Sequence, residues 1–163
     1  MEKARLELLQ RMPIFGGIRE DTLEYLLSLS VAVSVRSGEY FFRENDMGES
    51  LFVLETGKVA VLKSWKGGQH VLRHLGKGDC FGEMAVMDLS PRSASVVAVE
   101  DCTAIQIAAA SLYQVYEKDV EQFALIQMNM GREVSRRLRE ADERIFRTEM
   151  EGRGVAQDVF RHT

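Results

Sequence analysis

The sequence predicts a mainly β fold with flanking helices: a β jelly roll, or double-stranded β-helix, with N-terminal helices before it and one long C-terminal helix after it. Two observations carry this. Short alternating apolar runs divided by turn residues fill residues 30–108 at regular spacing, as the strands of a sandwich or jelly roll do. On either side the apolar residues change to three-four spacing, the period of a helix. At 163 residues the expectation is one domain plus an appendage, with enough chain for a proper core. The expected organisation is a β-roll domain with its N-terminal helices over 1–118, a C-terminal helix over 119–150 and a flexible tail over 151–163.

The elements follow in order. Residues 2–29 read as helices, with Leu6, Leu9 and Met12 on one face and Leu23, Leu26 and Leu27 on another. Glu20 or Asp21 near the start of the second suits the positive end of a helix. Val31, Val33 and Val35 alternate, then Leu51 and Val53, then Val59 and Val61. Lys66-Gly67-Gly68-Gln69 is a hairpin turn by its glycine pair. Val96 through Ile107 divides into two strands around Glu100-Asp101. Ala109 to Tyr116 makes a short helix, and Asp119 is a plausible N-cap for a long one reaching about Thr148.

That long helix carries two apolar sets. Val120, Ala124, Val134, Leu138, Ala141 and Ile145 follow three-four spacing, weakened at Gln127 and Gly131. Phe123, Ile126 and Met130 form a second set, expected to face the strand domain. Its distal surface mixes Arg136, Arg139, Arg144 and Arg147 with Glu140, Glu143 and Glu149, some at i,i+4 spacing. This reads equally well as a solvated face and as a short coiled-coil seam for dimerisation.

Composition narrows the class. Hydrophobic residues make 45% of the chain and charged residues 28%, ordinary for a globular protein. No apolar run approaches the ~20 residues of a membrane span. The charged N-terminus, Met1 to Arg5, is no secretion signal. Cys80 and Cys102 lie in strand-like surroundings and read as reduced thiols of a cytoplasmic protein. A net charge of −4 argues against a large nucleic-acid footprint. His70 and His74 sit four apart, but in a strand that separates them by over ~13 Å, so no metal site is expected.

The most informative stretch is Phe81-Gly82-Glu83-Met84-Ala85 followed by Pro91-Arg92-Ser93-Ala94-Ser95-Val96. Gly82 lets backbone approach a ligand, having no Cβ. Glu83 to Met87 suits one short helical turn, whose first amides point outward and favour an anion. Arg92 adds a planar guanidinium able to grip two phosphate oxygens, and Ser93 a hydroxyl. Glu83 cannot serve the phosphate, because like charges repel. Its natural partner is a neutral donor such as a ribose hydroxyl. An isolated Glu and Arg nine residues apart are usually a surface pair of little worth. The two motifs together, at this spacing and between strands, favour a ligand site.

The run resembles the phosphate-binding cassette of cyclic nucleotide-binding domains. These occur in the regulatory subunit of cyclic AMP-dependent protein kinase, in cyclic nucleotide-gated channels and in bacterial catabolite activator proteins. Leu9 to Phe15, Leu23 to Leu27, Ser37 to Phe42, Gly48 to Leu54, Thr56 to Val59 and Gly76 to Cys80 extend the resemblance across about residues 5–148. It implies that Gly82, Met84, Ala85 and Ala94 offer backbone amides, that Glu83 takes the ribose 2′-hydroxyl, and that Arg92 pairs with the cyclic phosphate. Ser93 stands where the activator proteins also carry serine and many cyclic GMP binders carry threonine. Arg136-Arg137-Leu138-Arg139 resembles the activators' dimerisation helix, which lids the base in the family. Arg137, Ala141 and Asp142 from that lid, and Val71 and Leu72 from the strand below, are the candidate base contacts.

The function this implies is a non-catalytic regulatory sensor. Its ligand would be cyclic AMP by analogy with the activators, or cyclic GMP. Ligand would tighten the cassette and reposition the long helix, read by a second subunit or an effector protein. No enzyme activity, cofactor, membrane or direct nucleic-acid partner is expected. The alternative is the sensor half of an activator-type transcription regulator without its DNA-binding domain, since the residues after the long helix are too few for a winged helix-turn-helix. A cupin-like enzyme would need clustered metal-ligand histidines, and the three here are scattered.

Overall fold

The computed structural model describes residues 2–153. Helix α1 (Glu2–Gln10), a 3-10 turn (Pro13–Phe15) and helix α2 (Glu20–Ser28) come first. Eight strands follow: β1 (Val31–Val35), β2 (Tyr40–Phe42), β3 (Ser50–Thr56), β4 (Val59–Trp65), β5 (Gly68–Leu75), β6 (Cys80–Phe81), β7 (Ser95–Ala98) and β8 (Cys102–Ala108). Helix α3 (Glu83–Asp88) interrupts them between β6 and β7, and α4 (Ala109–Lys118) and α5 (Val120–Arg153) close the chain. The strands form two four-stranded antiparallel sheets, in the orders β1-β8-β3-β6 and β2-β7-β4-β5. This is the expected jelly-roll arrangement.

Strand alternation divides the core in two. On β3, Leu51 and Val53 belong to a cluster shared with the helices, while Phe52 and Leu54 belong to a cluster inside the roll. Ile105 and Ile107 on β8 join the first cluster; Cys102 and Ala104 join the second. Successive side chains on a strand point to opposite faces, so these two strands are covered on both sides. Phe41, Phe42, Phe52 and Phe81 stiffen the interior: Phe41 and Phe81 meet edge-to-face at 5.0 Å, Phe52 and Phe81 stack at 5.4 Å, and Phe42 lies 6.0 Å from Phe52. The β4-β5 hairpin turns through Lys66 and Gly67, both at positive φ (49° and 79°), which is the geometry a two-residue turn between twisted strands requires.

Helix α5 runs for 34 residues, several more than the spacing of its apolar positions predicts, and residues 154–163 of the expected tail lie outside the described residues. Asp119 caps it, its Oδ1 accepting the Gln122 amide at 3.2 Å. That bond and the adjacent Arg19 guanidinium hold the Asp119 carboxyl below the ordinary carboxylate range. The first half of the helix is fastened to the N-terminal elements. Ile126 and Met130 are fully buried there, with Phe123 packed beside them. Asn129 Nδ2 donates to the Ile14 and Gly16 carbonyls at 3.2 and 2.8 Å, and Gln122 Oε1 accepts the Arg19 amide at 2.8 Å. This second apolar set thus joins the cluster that the N-terminal elements share with Leu51, Val53, Ile105 and Ile107. Beyond Gly131 the helix becomes largely exposed, with Leu138, Ile145 and Phe146 each about 60% open.

Because Ile126 fixes the root of α5, its truncation reports how firmly that root is held. Ile126→Ala should lower the unfolding free energy by about 2–5 kcal/mol, measured by urea denaturation. A loss below about 1 kcal/mol would show that α5 is not anchored by this packing.

Candidate functional site

A cavity of about 200 Å³ opens beside α3. Gly82, Glu83, Met84, Ala85, Arg92, Ser93 and Ala94 all line it. The seven residues singled out for ligand binding thus meet at one place.

The backbone at α3 is shaped for close approach. Gly82 caps the helix at φ 85°, ψ 3°, in the left-handed region where glycine has no steric cost. A Cβ there would stand 2.7 Å from Arg92 Nη1 and 3.0 Å from the Ser50 carbonyl oxygen. Glu83, Met84 and Ala85 are the first three residues of the helix, so their amides have no intrahelical acceptor.

Arg92 is 5% exposed, unusual for its type. Its backbone is paired twice to the preceding turn: its N–H donates to Asp46 at 2.8 Å and its carbonyl accepts from Asn45 at 2.8 Å. The guanidinium lies 4.0 Å above the Phe42 ring, and Nη1 donates to the Gly82 carbonyl at 3.1 Å. Gly48 makes room for it, since a Cβ at that position would stand 2.7 Å from Nη2. Among the described residues Nε finds no acceptor and no carboxylate reaches ion-pairing distance. Burial pushes the arginine's pKa down, opposed by the charge of Asp46. A guanidinium nevertheless keeps its proton. The result is a buried cation with no carboxylate partner among the described residues, an arrangement that costs free energy.

The rest of this limb is pinned from behind. Lys63 Nζ donates to the Ser93 carbonyl at 2.5 Å and pairs with Glu44 at 3.3 Å, while the Glu44 amide donates to Ser95 Oγ at 2.8 Å. Glu83, 5% exposed, sits across the cavity, and its carboxylate forms an ion pair with Arg137 of α5. Beside it Cys80 also lines the cavity; burial pushes its thiol up to about 12, so it is a thiol and not a thiolate near neutral pH.

The proposed base contacts divide differently. Of Arg137, Ala141, Asp142, Val71 and Leu72, only Arg137 lines the cavity. Ala141 and Asp142 stand a further turn along α5. Val71 and Leu72 are 55% and 49% exposed. The reason is a register shift: Leu62 faces Val71, but Val61 faces Arg73, leaving Leu72 as an extra residue. A bulge of this kind reverses which side chains point inward. Cross-strand partners share a face, so Arg73 and Leu75, opposite Val61 and Val59, are the ones that enter the cavity. Alternation alone does not mark a bulge. The available sign was a lone arginine inside the β5 sequence.

Residues 32–119 match the model of the family described as "Cyclic nucleotide-binding domain". The chain belongs to this family. It is 34% identical over 131 residues to the cyclic AMP receptor protein of Thermus thermophilus, covering 80% of this chain and 59% of that protein. It is 36% identical over 91 residues to a cyclic GMP-dependent protein kinase of Toxoplasma gondii, covering 56% of this chain and 9% of the kinase. In structure it is similar to a cyclic nucleotide-binding domain from Methylobacillus flagellatus, with a TM-score of 0.78 at 26% identity, over 90% of this chain and 83% of that one. The chain thus spans less than two thirds of the receptor protein and a small part of the kinase. No helix among the described residues is long and apolar enough to cross a membrane.

Proposed function

We propose that this chain is a non-catalytic sensor of a cyclic purine mononucleotide, cyclic AMP or cyclic GMP, and that binding is coupled to the position of α5. The observation that carries the reading is the buried Arg92 guanidinium, with no carboxylate at ion-pairing distance among the described residues, lining one cavity with the first residues of α3. A cyclic phosphate supplies the missing charge and acceptors for both. Glu83, at the other side, accepts from the ribose 2′-hydroxyl. Charge-assisted hydrogen bonds contribute roughly 1.5–3 kcal/mol each, so three or four supply much of the ~8 kcal/mol of a micromolar ligand.

Coupling follows from where Glu83 is already engaged. Its ion pair with Arg137 ties the cavity to the distal half of α5, while the proximal half is fixed to the N-terminal elements. A hydroxyl entering at Glu83 changes the geometry of that pair, and the helix moves with it. The shift can be no larger than the ligand's differential affinity for the two arrangements. Ser93 and Ala94 complete the phosphate contacts.

The exposed stripe of Leu138 and Ile145 on α5, with Val134 half-buried beside it, supports a dimer seam between two copies. The similarity to the Thermus receptor protein, of which this chain spans 59%, supports a second reading as the sensor half of a transcription regulator. Two free cysteines without a bridge fit a reducing compartment, and we place the sensor in the cytoplasm.

Two measurements test this. In calorimetric titration, Arg92→Ala should weaken cyclic nucleotide binding on the order of a thousandfold, the loss of two such bonds. Absence of binding by well-folded wild type would refute the sensor reading. In light scattering, wild type should be dimeric at tens of micromolar and Leu138→Glu with Ile145→Glu monomeric; a monomeric wild type would remove the seam.

A further inference from the structure

We propose that Lys63 positions the cyclic phosphate without touching it: by holding the Ser93 carbonyl it turns the Ala94 amide toward one of the two exocyclic phosphate oxygens. This rests on the cyclic nucleotide reading above. Ser93 and Ala94 line the cavity, and Lys63 does not. Lys63 Nζ nevertheless reaches the Ser93 carbonyl and donates to it at 2.5 Å. That oxygen and the Ala94 N–H belong to one trans peptide unit. Such a unit is planar, so the two point in opposite directions. An oxygen held toward a residue outside the cavity leaves the N–H facing the other way. Ala94 stands one residue ahead of β7, and among the described residues its N–H meets no backbone acceptor. It is a free donor with a fixed direction.

The hold on Ser93 is itself supported. Lys63 Nζ lies 3.3 Å from Glu44, and Glu44 is fixed at both ends. Its amide donates to Ser95 Oγ at 2.8 Å, and its Oε1 accepts the Ser64 amide at 3.0 Å. The Ser64 hydrogen bond, and then Lys63, hold the Glu44 carboxyl below the ordinary carboxylate range, so it is charged near neutral pH. Lys63 therefore sits between a carboxylate that fixes it and a carbonyl that it grips. A cation on a carbonyl oxygen also draws electron density through the amide, and hydrogen bonds in such a chain strengthen one another. The Ala94 N–H is thus both aimed and polarised. Arg92 is seated separately, by Phe42, Gly82 and Gly48, so losing Lys63 leaves the guanidinium in place.

The test is calorimetric titration of wild type and Lys63→Met, which keeps the stem and loses the donor, with Lys63→Leu as a second variant should the first fail to fold. The ligands are cyclic AMP or cyclic GMP, whichever wild type binds more tightly, and its two phosphorothioate isomers, each with sulfur in place of one exocyclic oxygen. The variant should bind the unmodified nucleotide and one isomer roughly five- to tenfold more weakly, the loss of one hydrogen bond. The other isomer, whose sulfur replaces the oxygen that Ala94 reads, should lose less than about twofold, since that bond is already weakened. Both isomers keep the negative charge and use the same limb, so a Lys63 acting only by charge or by stiffening would weaken them equally. Equal loss for the two isomers, or no loss for the unmodified nucleotide, overturns the assignment and leaves the sensor reading standing. Binding of neither nucleotide by folded wild type overturns the sensor reading, and the assignment with it.

Discussion

Glu83 and Arg137 form the one ion pair among the described residues that joins the cavity to the distal half of the long helix. A carboxylate as buried as Glu83 cannot stand alone: breaking a buried pair by removing one partner costs about 3–5 kcal/mol. A ribose hydroxyl is neutral and cannot replace the arginine's charge. On the proposed function, ligand would add to the pair and not displace it, and the pair would adjust to make room. Because Arg137 sits on α5 beyond its anchored root, that adjustment would be carried by the distal part of the helix.

The rest of the molecule can be understood as holding the two ends of that link. The N-terminal helices bury Ile126 and Met130 and satisfy the polar atoms of Asn129 and Gln122. Gly131 follows directly, a residue that weakens a helix by roughly 0.5–1 kcal/mol relative to alanine. The jelly roll fixes the other end. Phe42 and Gly48 seat the Arg92 guanidinium, the turn at Asn45 and Asp46 holds its backbone, and Lys63 fastens Ser93. One half of the link is therefore held by packing, while the distal helix is unpacked, with Leu138 and Ile145 exposed.

Much of this was legible in the residues. Alternation at Leu51 and Val53, the glycine pair in the β4-β5 turn and the Asp119 cap each act within a few residues, so local physics suffices to place them. The cassette was legible because Gly82, Glu83 and Arg92 lie close together in the chain. What escaped was set by long-range register. The bulge at Leu72 turns Val71 off the face that Arg73 and Leu75 share, and nothing in a run of alternating residues marks it. Gly48 and Lys63 support the cassette from 30 or more positions away, a contact that only the folded sheet order creates. Ala141 and Asp142 lie on the expected helix but a turn beyond the cavity; helical spacing defines a face and not how far along it a neighbour reaches.

Hydrogen exchange along α5 tests the central claim most directly, because amide protection reports local opening free energy segment by segment. Cyclic nucleotide should change protection over residues 133–148 in wild type while leaving the root at 122–130 unaltered. In Arg137→Gln, which still binds through Arg92, the distal change should fall to a small fraction of its wild-type size. Identical distal protection with and without ligand in wild type would contradict the account, as would a full response in the variant.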